Sequence, residues 1–183
     1  MIEFNIPQRD EVSEANQAIF DQLKSGLGFV PNLYAYYAKN ETALGDYLSL
    51  QNRKSTLSKK EREVVNLVVS EYNGCNYCKA AHTVIGGLNG FTPEQILEIR
   101  TGVASFDDKL NALATFTLAV AKNKGVIATE QKASFFNAGY TEANMIDVVM
   151  VIGDKIISNY LHNITDFAID FPLVPEIETT AIV

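Results

Sequence analysis

The sequence predicts an all-α fold. Three observations carry that expectation: apolar residues recur at helical spacing in almost every segment, capping residues open most of those segments, and no stretch alternates apolar and polar residues between hairpin signals. Taken in order, Asp10 is placed to cap a helix running to about Leu23, and Asn40 one running from Glu41 to about Arg53. Ser58 with Glu61 reads as a capping box, in which the hydroxyl accepts from a backbone N–H three residues on and the carboxylate reaches back. Glycines mark the stops. Gly74 closes the helix opened at Ser58, Gly90 the one after it, Gly102 a short one begun by Thr92-Pro93-Glu94-Gln95, and Gly139 one begun near Thr129. The last long helix opens at Thr141 and runs to about Phe167 through Val148, Val149, Val151, Ile152, Ile156, Ile157 and Leu161. Apolar around much of its circumference, it is expected to be buried as a central packing element. After Asp170, FPLVPEIETTAIV carries two prolines and no helical period, and it reads as an extended arm.

With 183 residues, 47% hydrophobic and 20% charged, the chain is expected to form one domain over residues 1–183, with a core large enough to need no disulfide framework or structural metal. Its net charge of −7 argues against nucleic acid or an anionic membrane as partner, because both call for basic patches. The opening MIEFNIPQRD lacks the basic and apolar regions of a signal peptide, and no apolar run reaches the roughly 18 residues of a membrane span, so a cytoplasmic protein is expected. In that reducing compartment two cysteines three positions apart point to redox or metal chemistry before structure.

Those cysteines lie in EREVVNLVVSEYNGCNYCKAAH, residues 61 to 82. Gly74 ends one helix, so Cys75 stands at or just before the start of the next, where free N–H groups and the helix dipole favour a thiolate. At helical spacing Cys75, Cys78 and His82 share one face. Two thiols and an imidazole supply what thiol redox chemistry requires: a nucleophile of lowered pKa, a second thiol to resolve the oxidised product, and a group to move protons. Glu63, on the preceding antiparallel helix beside Val64, Leu67 and Val68, is in reach to orient His82 or take a proton from a cysteine. A zinc site would use the same residue types. It needs a fourth ligand, His162 or a carboxylate, and the chain has no second close ligand pair. His162, on the last long helix, reads as a hydrogen-bonded core or interface histidine.

At these residues the sequence resembles the carboxymuconolactone decarboxylase superfamily, and within it the AhpD-like alkylhydroperoxidases. The family signature is a glutamate, eleven residues, C-x-x-C, three residues and a histidine, and Glu63, Cys75, Cys78 and His82 match it position for position. The helical framework agrees from about Phe29-Val30-Pro31-Asn32 to the NYLHNITDF segment at 159 to 167. The resemblance implies an AhpD-like helical bundle and a peroxidase in which Cys78 attacks the peroxide, Cys75 resolves the sulfenic acid to a disulfide, and Glu63 and His82 relay protons. The residues alone favour Cys75 as nucleophile, being nearer the helix start; the proximity of His82 to Cys78 speaks for the family's order. One departure is Tyr77, where AhpD enzymes usually carry a second histidine. A phenol is no base near neutrality, although its hydroxyl can still hydrogen-bond a water or thiolate, so a shorter relay and a weaker peroxidase activity are expected. The resemblance also implies a dithiol reductant, typically a lipoylated protein, a homo-oligomer such as a trimer or hexamer, and no metal, haem or flavin cofactor. Two other functions stay open: a decarboxylase acting on a carboxymuconolactone-like acid, a branch that does not require C-x-x-C, and a noncatalytic thiol redox switch.

Overall fold

The computed structural model describes residues 3–177, and among these there are nine α-helices and no strand. After a 3-10 turn at Arg9–Glu11 come α1 (Glu14–Leu27), α2 (Asn32–Tyr37), α3 (Ala43–Gln51), α4 (Lys59–Tyr72) and α5 (Asn76–Leu88). Then follow α6 (Pro93–Arg100), α7 (Asp108–Lys122), α8 (Thr129–Asn137) and α9 (Glu142–Thr165). The capping boxes expected from sequence form at α4, where Ser58 Oγ accepts from Glu61 N and Glu61 Oε2 accepts from Ser58 N, and at α6 with Thr92 and Gln95. Thr141 opens α9 in the same way. Two starts differ from expectation. Ser13, not Asp10, caps α1, accepting from Asn16 N, while Asp10 lies in the 3-10 turn ahead of it. Asn40 does cap, but from two residues upstream of the N-cap: its Oδ1 accepts from Thr42 N and Ala43 N, and α3 begins at Ala43.

The helix at the centre is α4. Every residue from Glu63 to Glu71 is buried, because α5, α6, α7 and α9 pack around it. Its valines and leucine join Leu113, Phe116, Phe135 and Ile152 in one apolar cluster. A second cluster gathers Phe20, Leu33, Tyr37, Leu44 and Tyr47 around Cys75, Cys78 and Ala81. The expected centrality of α9 is therefore corrected. Its buried face carries Asp147, Asp154, Lys155, Ser158, Asn159 and His162 beside Val148, Val151 and Ile152, whereas Ile146, Val149, Ile157, Tyr160 and Ile164 face outward. A helix apolar around much of its circumference does not declare which side is covered; here the side richer in polar residues is turned inward, and most of them meet partners there. Asp147 is one such case. It accepts from the Arg53 guanidinium, the Ser55 and Thr56 hydroxyls and Thr56 N, tying α9 to the segment between α3 and α4.

The arm after Asp170 is without helix as far as Ile177, and its remaining residues lie outside the described ones. It packs on its own chain: Phe171 meets Phe29 and Tyr77 edge-on, and Pro175 O accepts from the buried Arg100 guanidinium. Arg100 Nε in turn donates to Glu71 of α4 at 2.6 Å. No helix among the described residues is long and apolar enough to cross a membrane.

Candidate functional site

Cysteine chemistry begins at the turn between α4 and α5. Gly74 sits at φ +65°, a left-handed conformation that lets the chain reverse in three residues and lay α5 back along α4. Cys75 is then the N-cap of α5, and its Sγ accepts from Cys78 N at 3.2 Å. Cys75 and Cys78 are joined as a disulfide, with Cα atoms 5.3 Å apart. The sulfurs are not equivalent. Cys78 lines a cavity of about 390 Å³ together with His82, whereas Cys75 is fully buried behind it and does not line that space. The single face expected for all three residues thus holds for Cys78 and His82 only, since the N-cap backbone at Cys75 is extended and not helical.

The antiparallel return places Glu63, near the start of α4, against His82 in the middle of α5. Glu63 Oε2 lies 2.8 Å from His82 Nδ1, and Glu63 Oε1 accepts from Asn66 Nδ2 at 2.8 Å. Burial pushes the Glu63 carboxyl up, but His82, Asn66 and Lys155 outweigh it and hold it below the usual glutamate range. An ionised Glu63 requires the proton on Nδ1. In the neutral imidazole Nε2 is then an acceptor, and Lys155 Nζ donates to it at 3.1 Å. Lys155 is 2% exposed and escaped the sequence reading; the signal was a lone Asp-Lys pair inside the apolar run VVMVIGDKII of α9.

Around the Cys78 sulfur the walls are largely apolar: Leu33, Ala81, Val84, Ile85 and Phe171 line the cavity, with Lys155, Tyr34, Tyr47, Gln51 and Ser158 among its polar points. Leu27 and Leu88 line it too and are largely exposed, 55% and 83%, so the mouth opens between the ends of α1 and α5. Tyr34 donates to Gln51 Oε1 at 2.6 Å, and burial pushes its phenol up to about 12. A second cavity of about 240 Å³ also borders His82, and its lining includes Lys59, Arg62, Glu63, Asn66, Asn89 and Asp154. His82 thus lines both cavities, and Cys78 lines the first.

The carboxymuconolactone decarboxylase family matches residues 37–121, a span that contains Glu63, Cys75, Cys78 and His82. The segment that carries the site is thus similar to the carboxymuconolactone decarboxylase family. No curated protein matches it significantly by sequence. Among solved structures, an alkylhydroperoxidase AhpD core from Ralstonia eutropha JMP134, a peroxidase-related protein, aligns over 88% of each chain with a TM-score of 0.80 and 20% identity. A peroxidase-related protein from Silicibacter sp. TM1040 aligns over 91% of this chain and 90% of its own with a TM-score of 0.80 and 23% identity. The debrominase Bmp8 aligns over 91% of each chain with a TM-score of 0.75 and 18% identity. At these identities the likeness is one of fold: the chain has the all-α AhpD-like architecture.

Tyr77, between the two cysteines, turns its hydroxyl away from the sulfurs. Its hydroxyl accepts from Leu33 N at 3.2 Å and lies beside Asp170; burial and that carboxylate push the phenol well up. The group anchors the start of α2 and the arm instead of serving the sulfurs. His162 is the core histidine the sequence suggested: Nε2 donates to Phe167 O at 3.1 Å, the ring packs on Tyr77 and Phe167, and burial lowers its pKa. Among the described residues no group of three or more His, Cys, Asp and Glu is set to hold a metal ion.

Proposed function

We propose that the protein is a thiol-dependent peroxidase that reduces hydrogen peroxide or organic hydroperoxides through a Cys75–Cys78 dithiol/disulfide cycle. The observation that carries this reading is the asymmetry of the pair: Cys78 lines an apolar cavity beside His82, while Cys75 is buried at the helix N-cap. In the reduced protein the Cys78 thiolate attacks the terminal peroxide oxygen, the O–O bond breaks, and the departing alkoxide takes a proton to give the alcohol and Cys78 sulfenic acid. The Cys75 thiolate then attacks that sulfur, and with one proton water leaves and the disulfide forms. An external dithiol, of the kind a lipoylated protein carries, attacks at Cys78, and Cys75 departs as a thiolate facing the Cys78 N–H. The sum is hydroperoxide plus dithiol giving alcohol, water and disulfide.

His82 and Glu63 move and balance the protons in this reading, with Glu63 fixing the tautomer. The homo-oligomer, trimer or hexamer, belongs to the same proposal and is measured by light scattering. Steady-state consumption of peroxide with a dithiol reductant tests the function. A single stoichiometric loss of two thiols without turnover would leave the noncatalytic switch, and release of carbon dioxide from a lactone acid by a protein lacking both thiols would leave the decarboxylase.

A further inference from the structure

Lys155 holds the one nitrogen of His82 that must be free for proton transfer. Glu63 occupies Nδ1, and Lys155 Nζ lies 3.1 Å from Nε2. An ammonium and an imidazolium cannot both donate across that gap, so the contact exists only while the ring is neutral at Nε2. Lys155 has a second partner within reach. Asp154 Oδ2 is 3.7 Å from Nζ, too long for a direct hydrogen bond, and Asp154 Oδ1 is buried with no hydrogen-bond partner among the described residues. With His82 neutral, Glu63 and Asp154 oppose Lys155 alone and the buried group has one surplus negative charge. A proton on His82 removes the surplus.

We infer that Lys155 is a two-position positioning residue: it caps His82 Nε2 while the imidazole is neutral and moves onto Asp154 when the imidazole is protonated, turning Nε2–H toward Cys78 and a bound substrate oxygen. The thiol proton of Cys78 thus passes to His82, and after attack it passes on to the departing oxygen, so no proton is gained or lost. This deepens the peroxidase reading and rests on it for its purpose, but the lysine movement itself requires only a titrating His82. The groups facing that ring are Glu63 from α4, with Lys59 and Arg62 along the second cavity, Cys78 from α5, Asp154 and Lys155 from α9, Tyr34 from α2 and Tyr47 from α3. Burial pushes both tyrosines up, so they stay neutral through the working range.

A mutant cycle tests it in the full chain carrying Cys75→Ser, so that a single thiol is read. The His82 ring is titrated by NMR, and the alkylation rate of Cys78 by iodoacetamide is followed against pH; neither needs peroxide turnover. Asp154→Asn removes the second seat and is expected to lower the pKa of His82 and slow alkylation at neutral pH by about tenfold, the scale of a hindered proton acceptor. Lys155→Met frees Nε2 and should raise the His82 pKa. The double variant should titrate like Lys155→Met alone, because Asp154 acts on the ring through the lysine. If Asp154→Asn shifts His82 equally in both backgrounds, or not at all, the inference is overturned. Should Asp154→Asn fail to fold, Lys155→Met decides by itself: an unshifted His82 in that variant overturns the proposal. Normal titration shifts in a protein that does not turn over peroxide would instead overturn the peroxidase reading and leave this one standing.

Discussion

Replacing Glu63 by glutamine separates proton chemistry from structure, and the surroundings of the side chain set the size of each effect. The carboxylate is bonded by His82 Nδ1–H and Asn66 Nδ2–H, both at 2.8 Å, and Asn66 Oδ1 is buried without a partner. In Glu63→Gln the new amide oxygen can keep the bond to His82. Its NH2 then faces Asn66, whose amide turns over and offers the idle Oδ1. Both hydrogen bonds survive, and the loss is the difference between charged and neutral partners, about 1 kcal/mol. For a chain of this size that lowers Tm by about 2–4 °C. Glu63→Ala has no such repair. It leaves two buried donors facing a void, costs about 3 kcal/mol or more, and lowers Tm by about 6–12 °C. Activity should fall in both variants by about a hundredfold, because the negative charge that stabilises a protonated His82 is gone. Thermal unfolding by circular dichroism and peroxide turnover with a dithiol donor measure the two quantities. A Glu63→Gln protein with near wild-type turnover would refute the relay, and one that melts as low as Glu63→Ala would refute the repair at Asn66.

Cys78→Ser should abolish peroxide reduction, whereas Cys75→Ser should allow one attack and leave a sulfenic acid at Cys78 that dimedone traps and mass spectrometry locates; a trapped Cys75 in the Cys78→Ser protein would reverse the order. Burial pushes the Asp147 carboxyl up, but Thr56, Arg53 and Ser55 hold it well below the usual range, so its contribution is present above the unfolded value near 4 and is lost as pH falls toward the folded one. Asp147→Asn should therefore lower stability by roughly 2–3 kcal/mol at neutral pH, and denaturant melts should show the gap from wild type closing below about pH 4. Gly102 sits at φ +86°, where an added Cβ would meet Leu118 Cδ2 at 2.5 Å, so Gly102→Ala should lose roughly 1–3 kcal/mol with turnover of the folded fraction unchanged.

Local chemistry was legible in the sequence because its partners are three or four residues apart. The boxes at Ser58–Glu61 and Thr92–Gln95, the opening of α9 at Thr141 and the placing of Cys75 at the start of α5 all concern N–H groups within one turn. The same locality brought Cys78 and His82 onto one face, and the E-x11-C-x-x-C-x3-H spacing carried Glu63 with them. Where two local solutions competed, sequence did not choose between them. Asp10 and Ser13 are both good caps, and Ser13 prevails in a segment where Arg9 is paired with Asp21 and Asn16 donates to Ala38 O and Asn40 O.

Tertiary structure alone decided which side of α9 was covered. Val149 and Ile157 face outward, while Asp147, Lys155 and His162 face inward to partners lying up to 94 residues away along the chain. Burial of a charge depends on what stands opposite it, and nothing within one helical turn records that. For the same reason the Tyr77 hydroxyl went to Leu33 N and not to the sulfurs, and Lys155 came to rest on His82. The glutamate, cysteines and histidine of the site are thus written along α4 and α5, whereas the cavities that border His82, and the cation that holds its second nitrogen, exist only once α2, α3 and α9 close around them.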